Sequence, residues 1–268
     1  MTKNYRRLNP IIGIVLFLAV LGLIITIGFK IYASLQVKPD KSLQMLVQSA
    51  PDFDAKVFRD SNGRTMLYRY LKPLANDPNH KYPLVVFLHG TKERGHNNIS
   101  QLKYAGPFFN QPFNRREYPC YVVIPQCPTR QNWVNSEKYF GTVALSSKPT
   151  EPLSLTLQLV VKLRRELNID PKRIYIMGVS SGGSGVWDLV SRFPKMFAAA
   201  VPFAGCGDEA QAVRLIQTPC WLFHGTLDLA VNPSCSRMMY RALLKAGGSP
   251  RYTEYPFTGH SCWIKAFK

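Results

Sequence analysis

From residue 51 onward, short continuous apolar runs alternate with longer stretches in which apolar residues recur at helical spacing. A short uninterrupted apolar run is typical of a strand that is buried on both faces. The strands predicted in this way are 83–90, 121–125, 173–178, 198–203 and 220–225. The predicted helices are 153–167, 181–193 and 234–247. This alternation indicates an α/β fold with a mostly parallel central sheet flanked by helices.

Strand patterns of another kind lie outside this series. Residues 55–60 and 65–71 flank a Ser-Asn-Gly turn and predict an antiparallel hairpin. Residues 251–256 alternate between polar and apolar side chains, as an edge strand does.

Two long segments, 91–119 and 126–150, show no regular pattern. Both leave the carboxyl ends of predicted strands, where parallel sheets bind ligands, so we expect them to be functional. Four aromatic residues in these loops either line a pocket for an acyl or aryl group or only pack the loops down. They are Trp133, Phe108, Phe109 and Phe113.

Near the N-terminus, residues 11–29 carry no charge, and Thr26 is their only polar side chain. As a helix they would reach roughly 29 Å, close to the thickness of a bilayer's hydrocarbon core. We predict one transmembrane anchor; a signal peptide cleaved before Ser34 is the alternative. The predicted organisation is a basic head (1–10), the anchor (11–29), a juxtamembrane linker (30–50) and a catalytic domain (51–268).

Basic residues flank the predicted anchor almost equally on both sides, so the positive-inside count is nearly tied. The basic head at 1–10 favours an N-terminus in the cytoplasm. The catalytic domain would then be extracytoplasmic, on the periplasmic side, or secreted if the segment is cleaved.

The net charge of +18 raises the question of nucleic-acid binding. The basic residues are dispersed, and no recognition-helix, zinc-finger or RNP pattern accompanies them. We therefore expect no nucleic-acid partner; a basic surface that faces anionic lipid headgroups accounts for the charge more simply.

The chain has six cysteines, a number that suits an oxidising compartment. Cys120 and Cys127 flank a predicted strand, which would hold them about 20 Å apart, too far to form a disulfide. Cys220 lies in an apolar run and is predicted to be a buried core residue. Any disulfide is expected to involve Cys206, Cys235 or Cys262. The spacing shows no metal site.

The stretch Gly-Val-Ser-Ser-Gly, residues 178–182, fits the pattern G-x-S-x-G with Ser180 at its centre. It follows a predicted strand and begins a predicted helix, which is the context of a nucleophile elbow. The tight turn lifts the serine hydroxyl above the sheet. The helix N-terminus supplies a backbone N–H, here that of Ser181, which can stabilise an oxyanion.

A serine nucleophile needs a base, and the chain has five histidines. His80 and His96 lie in polar segments and are expected to be solvated. His89 and His224 precede glycines at strand ends, where an imidazole commonly orders loop backbone. His260 follows the last predicted strand.

An acid, Asp228, follows another predicted strand and completes the order Ser180, Asp228, His260. This order is that of the α/β-hydrolase catalytic triad, and all three residues follow strand ends. The loop after the strand at 83–90 supplies the second oxyanion N–H in that architecture, which we assign to Thr91. Glu93 and Arg94 are expected to pair within the loop.

These motifs resemble the α/β-hydrolase esterases related to dienelactone hydrolases, polyhydroxybutyrate depolymerases and catalytic domains of the prolyl-oligopeptidase type. The resemblance covers about residues 55–265 and implies the same triad. Relatives usually have Met where this chain has Ser181, so local packing is expected to differ. The last helix, after His260, is expected to be short.

The sequence thus predicts a membrane-anchored serine hydrolase that cleaves small-molecule carboxylic esters through an acyl-enzyme, with no metal or organic cofactor. Two alternatives stay open: a serine peptidase of the prolyl-oligopeptidase type, and a catalytically inactive scaffold with this fold.

Overall fold

The computed structural model of the protein describes residues 41–48, 50–75, 77–136 and 141–268. The predicted head, the predicted anchor and most of the predicted linker lie outside these residues, and so does the predicted membrane orientation. In the part of the chain that is described, no helix is both long enough and apolar enough to cross a membrane. The fold below is that of Met45–Lys268, which forms a compact unit.

An eight-stranded sheet forms the centre of this unit. The strands are β1 (Asp54–Arg59), β2 (Thr65–Leu71), β3 (Tyr82–Leu88), β4 (Tyr121–Pro125), β5 (Ile169–Val179), β6 (Ala199–Phe203), β7 (Trp221–Gly225) and β8 (Arg251–Tyr255). Their spatial order is β1-β2-β4-β3-β5-β6-β7-β8. The β1–β2 and β2–β4 pairs are antiparallel, and all other pairs are parallel. The predicted hairpin, the parallel sheet and the edge position of β8 are confirmed.

The described helices, in chain order, are α1 (Lys41–Gln48), α2 (Ala105–Phe109), α3 (Pro112–Glu117), α4 (Glu151–Glu166), α5 (Ser181–Arg192), α6 (Ser234–Lys245) and α7 (Trp263–Ala266). Of these, α4, α5 and α6 pack on one face of the sheet and α2 and α7 on the other. The three predicted helices correspond to α4, α5 and α6. α4 begins where the Thr150 side chain accepts a hydrogen bond from the Leu153 N–H, an N-cap followed by proline in the first turn. As expected, the last helix is short.

Two apolar layers lie on opposite faces of the sheet because alternate residues of a strand point to opposite sides. In β3, Leu84, Val86 and Leu88 join the layer formed with α4, α5 and α6. Val85 and Phe87 join the layer formed with α2 and α7. All five side chains are buried, which explains why the strand reads as one continuous apolar run.

The prediction that residues 91–119 lack regular structure is wrong. This loop contains 3₁₀ turns at Thr91–Glu93 and Ser100–Leu102 and the helices α2 and α3. Leu102 and Ala105 are fully buried in the second apolar layer, which fixes the loop against the sheet. The proline at the start of α3 favours a helix at that point because its φ is already helical.

A disulfide joins Cys206, after β6, to Cys235, in the first turn of α6. This pairing uses two of the three cysteines that the sequence singled out, and Cys262 is free and buried. Cys120, Cys127 and Cys220 are also free. Cys220 is buried in the first apolar layer, as predicted.

Candidate active site

Ser180 lies at the junction of β5 and α5, with φ of 56° and ψ of −123°. Such a backbone conformation costs a non-glycine residue about 1–3 kcal/mol and is concentrated at functional sites. The turn is so tight that neighbouring positions have no room for a side chain. A Cβ at Gly178 would lie 2.5 Å from the carbonyl oxygen of Gly182, and one at Gly182 would lie 2.1 Å from that of Leu88. Gly178 and Gly182 are therefore required because the backbones of β3, β5 and α5 come into close contact at this point.

The structure brings together the three residues predicted to form a triad. The Nε2 atom of His260 lies 2.8 Å from the hydroxyl oxygen of Ser180. The Nδ1 atom of His260 lies 2.7 Å from a carboxylate oxygen of Asp228. Because a carboxylate only accepts, Nδ1 carries the proton and Nε2 is left to accept from the serine hydroxyl. This tautomer is the one a general base requires.

The Asp228 carboxylate is fully buried and held by several donors. One oxygen accepts hydrogen bonds of 2.9 Å from the backbone N–H groups of Ala230 and Val231. The other faces both His260 and His224, the latter at 3.2 Å. Burial alone raises the pKa of Asp228, but the hydrogen bonds from these donors outweigh burial and hold the pKa well below its usual value. The carboxylate is therefore ionised at neutral pH.

His224 is a neighbour of this site that the sequence did not reveal. As predicted it orders loop backbone, because its Nε2 donates to the carbonyl oxygen of Val231 at 3.0 Å. Its Nδ1 then accepts from the hydroxyl of Ser236 at 2.7 Å. The same Nε2–H also faces Asp228. The contact between His224 and Asp228 forms because of the turn after β7. In the sequence, the one feature that could have indicated it is a histidine at a strand end, four residues before an acid.

Thr91 and Ser181, the predicted oxyanion donors, flank Ser180. Thr91 begins the 3₁₀ turn after β3, and Ser181 is the first residue of α5. A Cβ at Gly90 would lie 3.5 Å from the Cβ of Ser180, so the loop that carries Thr91 passes directly beside the serine. The first N–H groups of a helix have no partner within it, which leaves that of Ser181 available to a ligand.

His89 anchors the start of this loop. Its Nε2 accepts from the Cys127 N–H at 2.9 Å, and its Nδ1 donates to the Gly90 carbonyl oxygen at 2.7 Å. The ring thereby joins the end of β3 to the end of β4, as the prediction of a loop-ordering histidine requires. His80 and His96 are exposed, also as predicted.

Glu93 and Arg94 do not pair with each other. Glu93 is only 4% exposed, and Lys103 of the same loop approaches it at 3.6 Å. Burial raises the pKa of Glu93, and Lys103 opposes this. Arg94 instead reaches the second long loop, where it donates to Gln131 and Asn132. Arg94 also donates through Nε to the Thr91 carbonyl oxygen at 3.0 Å, so each residue has a partner within the loop, but the two do not pair with each other.

A cleft of about 400 Å³ opens over Ser180 and His260. Its aromatic walls are Tyr104 and Trp263, whose rings meet edge to face at 5.4 Å. Trp263 also packs edge to face on the imidazole of His260. The cleft therefore combines the serine and imidazole with an apolar wall, as an acyl or alkyl group requires.

None of the four aromatic residues highlighted in the sequence lines this cleft. Trp133 is buried and donates to the His89 carbonyl oxygen at 2.9 Å, so it packs the second loop down. Phe108 and Phe109 line a separate groove of about 580 Å³ against the sheet. Phe113 is exposed and contacts Tyr118.

Comparison with known proteins places the chain in a family. Residues 121–265, more than half of the chain, match the dienelactone hydrolase family. The protein belongs to this family. The resemblance inferred from the motifs is thereby confirmed, and the open, mostly parallel sheet flanked by helices is the α/β-hydrolase fold.

Individual proteins similar to this dienelactone hydrolase family member include an esterase, a depolymerase and a peptidase. The crystal structure of a thermostable esterase is 36% identical, with a TM-score of 0.76 over 82% of this chain. Poly(3-hydroxyalkanoate) depolymerase C of Paucimonas lemoignei is 29% identical over 46% of this chain. An acylaminoacyl peptidase of Pyrococcus horikoshii is 16% identical, with a TM-score of 0.60, and shares the fold. The chain spans 61% of the esterase's length and 28% of the depolymerase's.

Proposed function

We propose that the protein is a serine hydrolase that cleaves small-molecule carboxylic esters through an acyl-enzyme. The observation that carries the proposal is the continuous hydrogen-bonded chain from the Ser180 hydroxyl through His260 to Asp228. It lies on a strand–turn–helix elbow at the carboxyl edge of the sheet, where this fold places its chemistry.

The geometry supports a specific sequence of proton transfers. The Nε2 atom of His260 takes the Ser180 proton as the hydroxyl oxygen attacks the ester carbonyl carbon. Asp228, ionised because of its low pKa, stabilises the imidazolium that forms. His260 then gives the proton to the departing alcohol, and water, activated by the same imidazole, releases the acid from Ser180. These steps require neither a metal nor an organic cofactor.

The tetrahedral intermediates carry an oxyanion, which we assign to the backbone N–H groups of Thr91 and Ser181. Each such donor contributes about 2.7–4 kcal/mol to stabilisation of the transition state. The arrangement depends on His89 and on the glycines around Ser180, since they fix the loop and the helix that present the two groups.

The sequence identities of the relatives support esters rather than peptides as the substrates of this protein. The structure at 36% identity is that of an esterase, whereas the peptidases match at 16–18% identity and show the fold alone. We therefore place ester hydrolysis first and peptide hydrolysis second.

We also propose that residues 11–29 anchor the protein and that the catalytic domain is extracytoplasmic. The Cys206–Cys235 disulfide supports an oxidising compartment, because such bonds persist outside the cytoplasm. The uninterrupted apolar stretch supports the anchor.

The full-length protein in detergent, assayed with p-nitrophenyl butyrate and with short chromogenic peptides, tests the proposed reaction. We expect turnover of the ester, labelling by a fluorophosphonate probe, and loss of both in Ser180→Ala. Ser154→Ala, a serine substitution on α4, serves as the control and keeps both. Full activity in Ser180→Ala would disprove the assignment of the nucleophile; a native protein inert to ester and probe would favour the inactive scaffold.

A further inference from the structure

Two side chains are more exposed than any other large apolar residue in the described part of the chain: Leu229, at 95%, and Phe257, at 89%. Both lie in the loops that carry the predicted acid and base. Leu229 follows Asp228 directly, and Phe257 lies three residues before His260. Leu227, in the same loop as Leu229, is 57% exposed. Ile264, in α7, is 50% exposed, and its neighbour Lys265 donates to the Thr258 hydroxyl of the loop that carries Phe257 at 2.7 Å. We call Leu227, Leu229, Phe257 and Ile264 the apolar rim.

The two loops of the apolar rim are fastened to each other. The Leu227 N–H donates to the Thr258 carbonyl oxygen at 2.9 Å, and the Phe257 N–H donates to the Thr226 hydroxyl at 2.9 Å. Both loops leave the carboxyl ends of adjacent parallel strands, β7 and β8. The apolar rim therefore lies at the same sheet edge as Ser180 and is held by the scaffold that holds the triad.

Folding does not explain this arrangement. An exposed phenylalanine contributes little burial, and φ at Phe257 is 50°, a region that a bulky residue adopts only at a cost. Exposed apolar residues that cluster at one place mark a surface that meets another apolar surface.

The charged residues around the apolar rim indicate which kind of surface it contacts. Lys92, in the cleft wall, and Lys265 and Lys268, beside Ile264, are exposed. From residue 256 to residue 268 there is no acidic residue, and Asp228, the only acid from 226 to 233, is buried. The apolar rim is thus bordered by positive charge, on a chain of net charge +18. Basic residues around exposed apolar side chains match an anionic phospholipid surface, which offers negative headgroups above hydrocarbon.

We propose that the apolar rim docks the mouth of the cleft on an anionic phospholipid surface, and that the esters hydrolysed are lipophilic esters dissolved in it. The inference rests on the proposed function, since it adds to it the class of substrate and the place from which the substrate enters. Docking orients Ser180 and His260 toward the lipid, so an acyl chain passes into the cleft without crossing water.

The test uses the full chain reconstituted in vesicles of phosphatidylcholine with or without phosphatidylglycerol. Two substrates are compared: p-nitrophenyl acetate, which stays in water, and p-nitrophenyl palmitate, which dissolves in the vesicles. The variants are Leu229→Gln and Phe257→Asn, the latter because asparagine tolerates positive φ. Val57→Thr on β1 is the control, since Val57 is an apolar side chain that is 60% exposed and lies at the opposite edge of the sheet from β8.

For the native protein we expect faster palmitate hydrolysis with phosphatidylglycerol present, and a loss of that gain at high salt. Each rim variant should lower palmitate hydrolysis about tenfold, since it removes one apolar side chain from the lipid contact. Acetate hydrolysis should stay unchanged, and Val57→Thr should change neither rate. Unchanged palmitate hydrolysis in both rim variants, or indifference to phosphatidylglycerol, would overturn the proposal.

A second measurement does not depend on activity. Brominated phosphatidylglycerol should quench the added fluorescence of Phe257→Trp and leave that of Val57→Trp unaffected. Quenching in a protein that hydrolyses neither ester would mean that the proposed function fails while the docking surface stands. Active protein without quenching would refute the docking surface alone. A native dimer that Phe257→Asn dissociates in sedimentation would identify a second copy as the occupant and refute lipid docking.

Discussion

The burial of His89 predicts how the free energy of unfolding changes with pH. The imidazole is fully buried between β3 and β4 and is hydrogen-bonded through both nitrogens. Burial lowers the pKa of His89 from its ordinary value of 6.5 to about 4. The group is therefore neutral in the folded protein over a pH range in which the unfolded chain binds a proton.

The sign of the effect follows from this difference. Above pH 6.5 the imidazole is neutral in both states and its contribution to stability is complete. As the pH falls toward 4, the unfolded chain takes up a proton that the folded protein does not, so the free energy of unfolding decreases. The decrease is about 1.4 kcal/mol per pH unit and reaches about 3 kcal/mol over the window.

The substitution His89→Gln removes the titrating group and keeps a side chain that can form hydrogen bonds. The variant is less stable than the native protein at about pH 7, and the stability gap should shrink by about 2.5 kcal/mol at about pH 4.5. Urea unfolding of both full-length proteins at the two pH values measures the gap. A gap of equal size at both values would refute the buried neutral imidazole. The variant should also hydrolyse esters more slowly at neutral pH, because the loop that carries Thr91 loses its anchor.

Two further predictions concern the site and the fold. Asp228→Asn should lower kcat for p-nitrophenyl butyrate by about 10⁴-fold with little change in KM, because the amide no longer holds the His260 tautomer; a loss below about tenfold would show that Asp228 does not orient the imidazole. Removing the disulfide with Cys206→Ser should lower the free energy of unfolding by about 3 kcal/mol in urea. Added reductant should destabilise the native protein and not the variant, and equal responses would contradict a formed disulfide.

The strands were predictable because their burial leaves a mark in the sequence. β3 lies between two apolar layers, so every residue from Leu84 to Leu88 is apolar and the run is unmistakable. β8 has one neighbour, and its side chains are only partly buried, which permits the alternation that marked it as an edge. Local patterns therefore predicted the strands, the hairpin and the edge strand, whereas the strand order, with β4 between β2 and β3, was not predicted.

The two short helices after β3 left no such mark. α2 has five residues and α3 six, too few for helical periodicity to emerge. α2 is stabilised by packing rather than by its own propensity, since Ala105 is fully buried in the second apolar layer. The proline at the start of α3 was the one local signal that the sequence offered.

In the candidate active site, too, some residues were predictable from the sequence and others were not. Ser180, Asp228 and His260 could be selected because each follows a strand, and parallel strands bring their carboxyl ends to one edge. The contact of His224 with Asp228 depends on how one turn closes, and the cleft walls Tyr104 and Trp263 depend on how the first loop and α7 pack. Tyr104 and Trp263 are far apart in the chain, so no local pattern specifies their contact. His224 and Asp228 are only four residues apart, but their contact depends on the conformation of the turn between them.

Trapping the acyl group on the enzyme shows directly whether Ser180 is the nucleophile. The full-length protein is mixed with p-nitrophenyl butyrate, quenched in acid during turnover, digested, and mapped by mass spectrometry. We expect a butyryl group on the peptide that contains residues 174–192, located on Ser180 and absent from Ser180→Ala. Steady turnover with a butyryl group on a different residue would show that Ser180 is not the nucleophile.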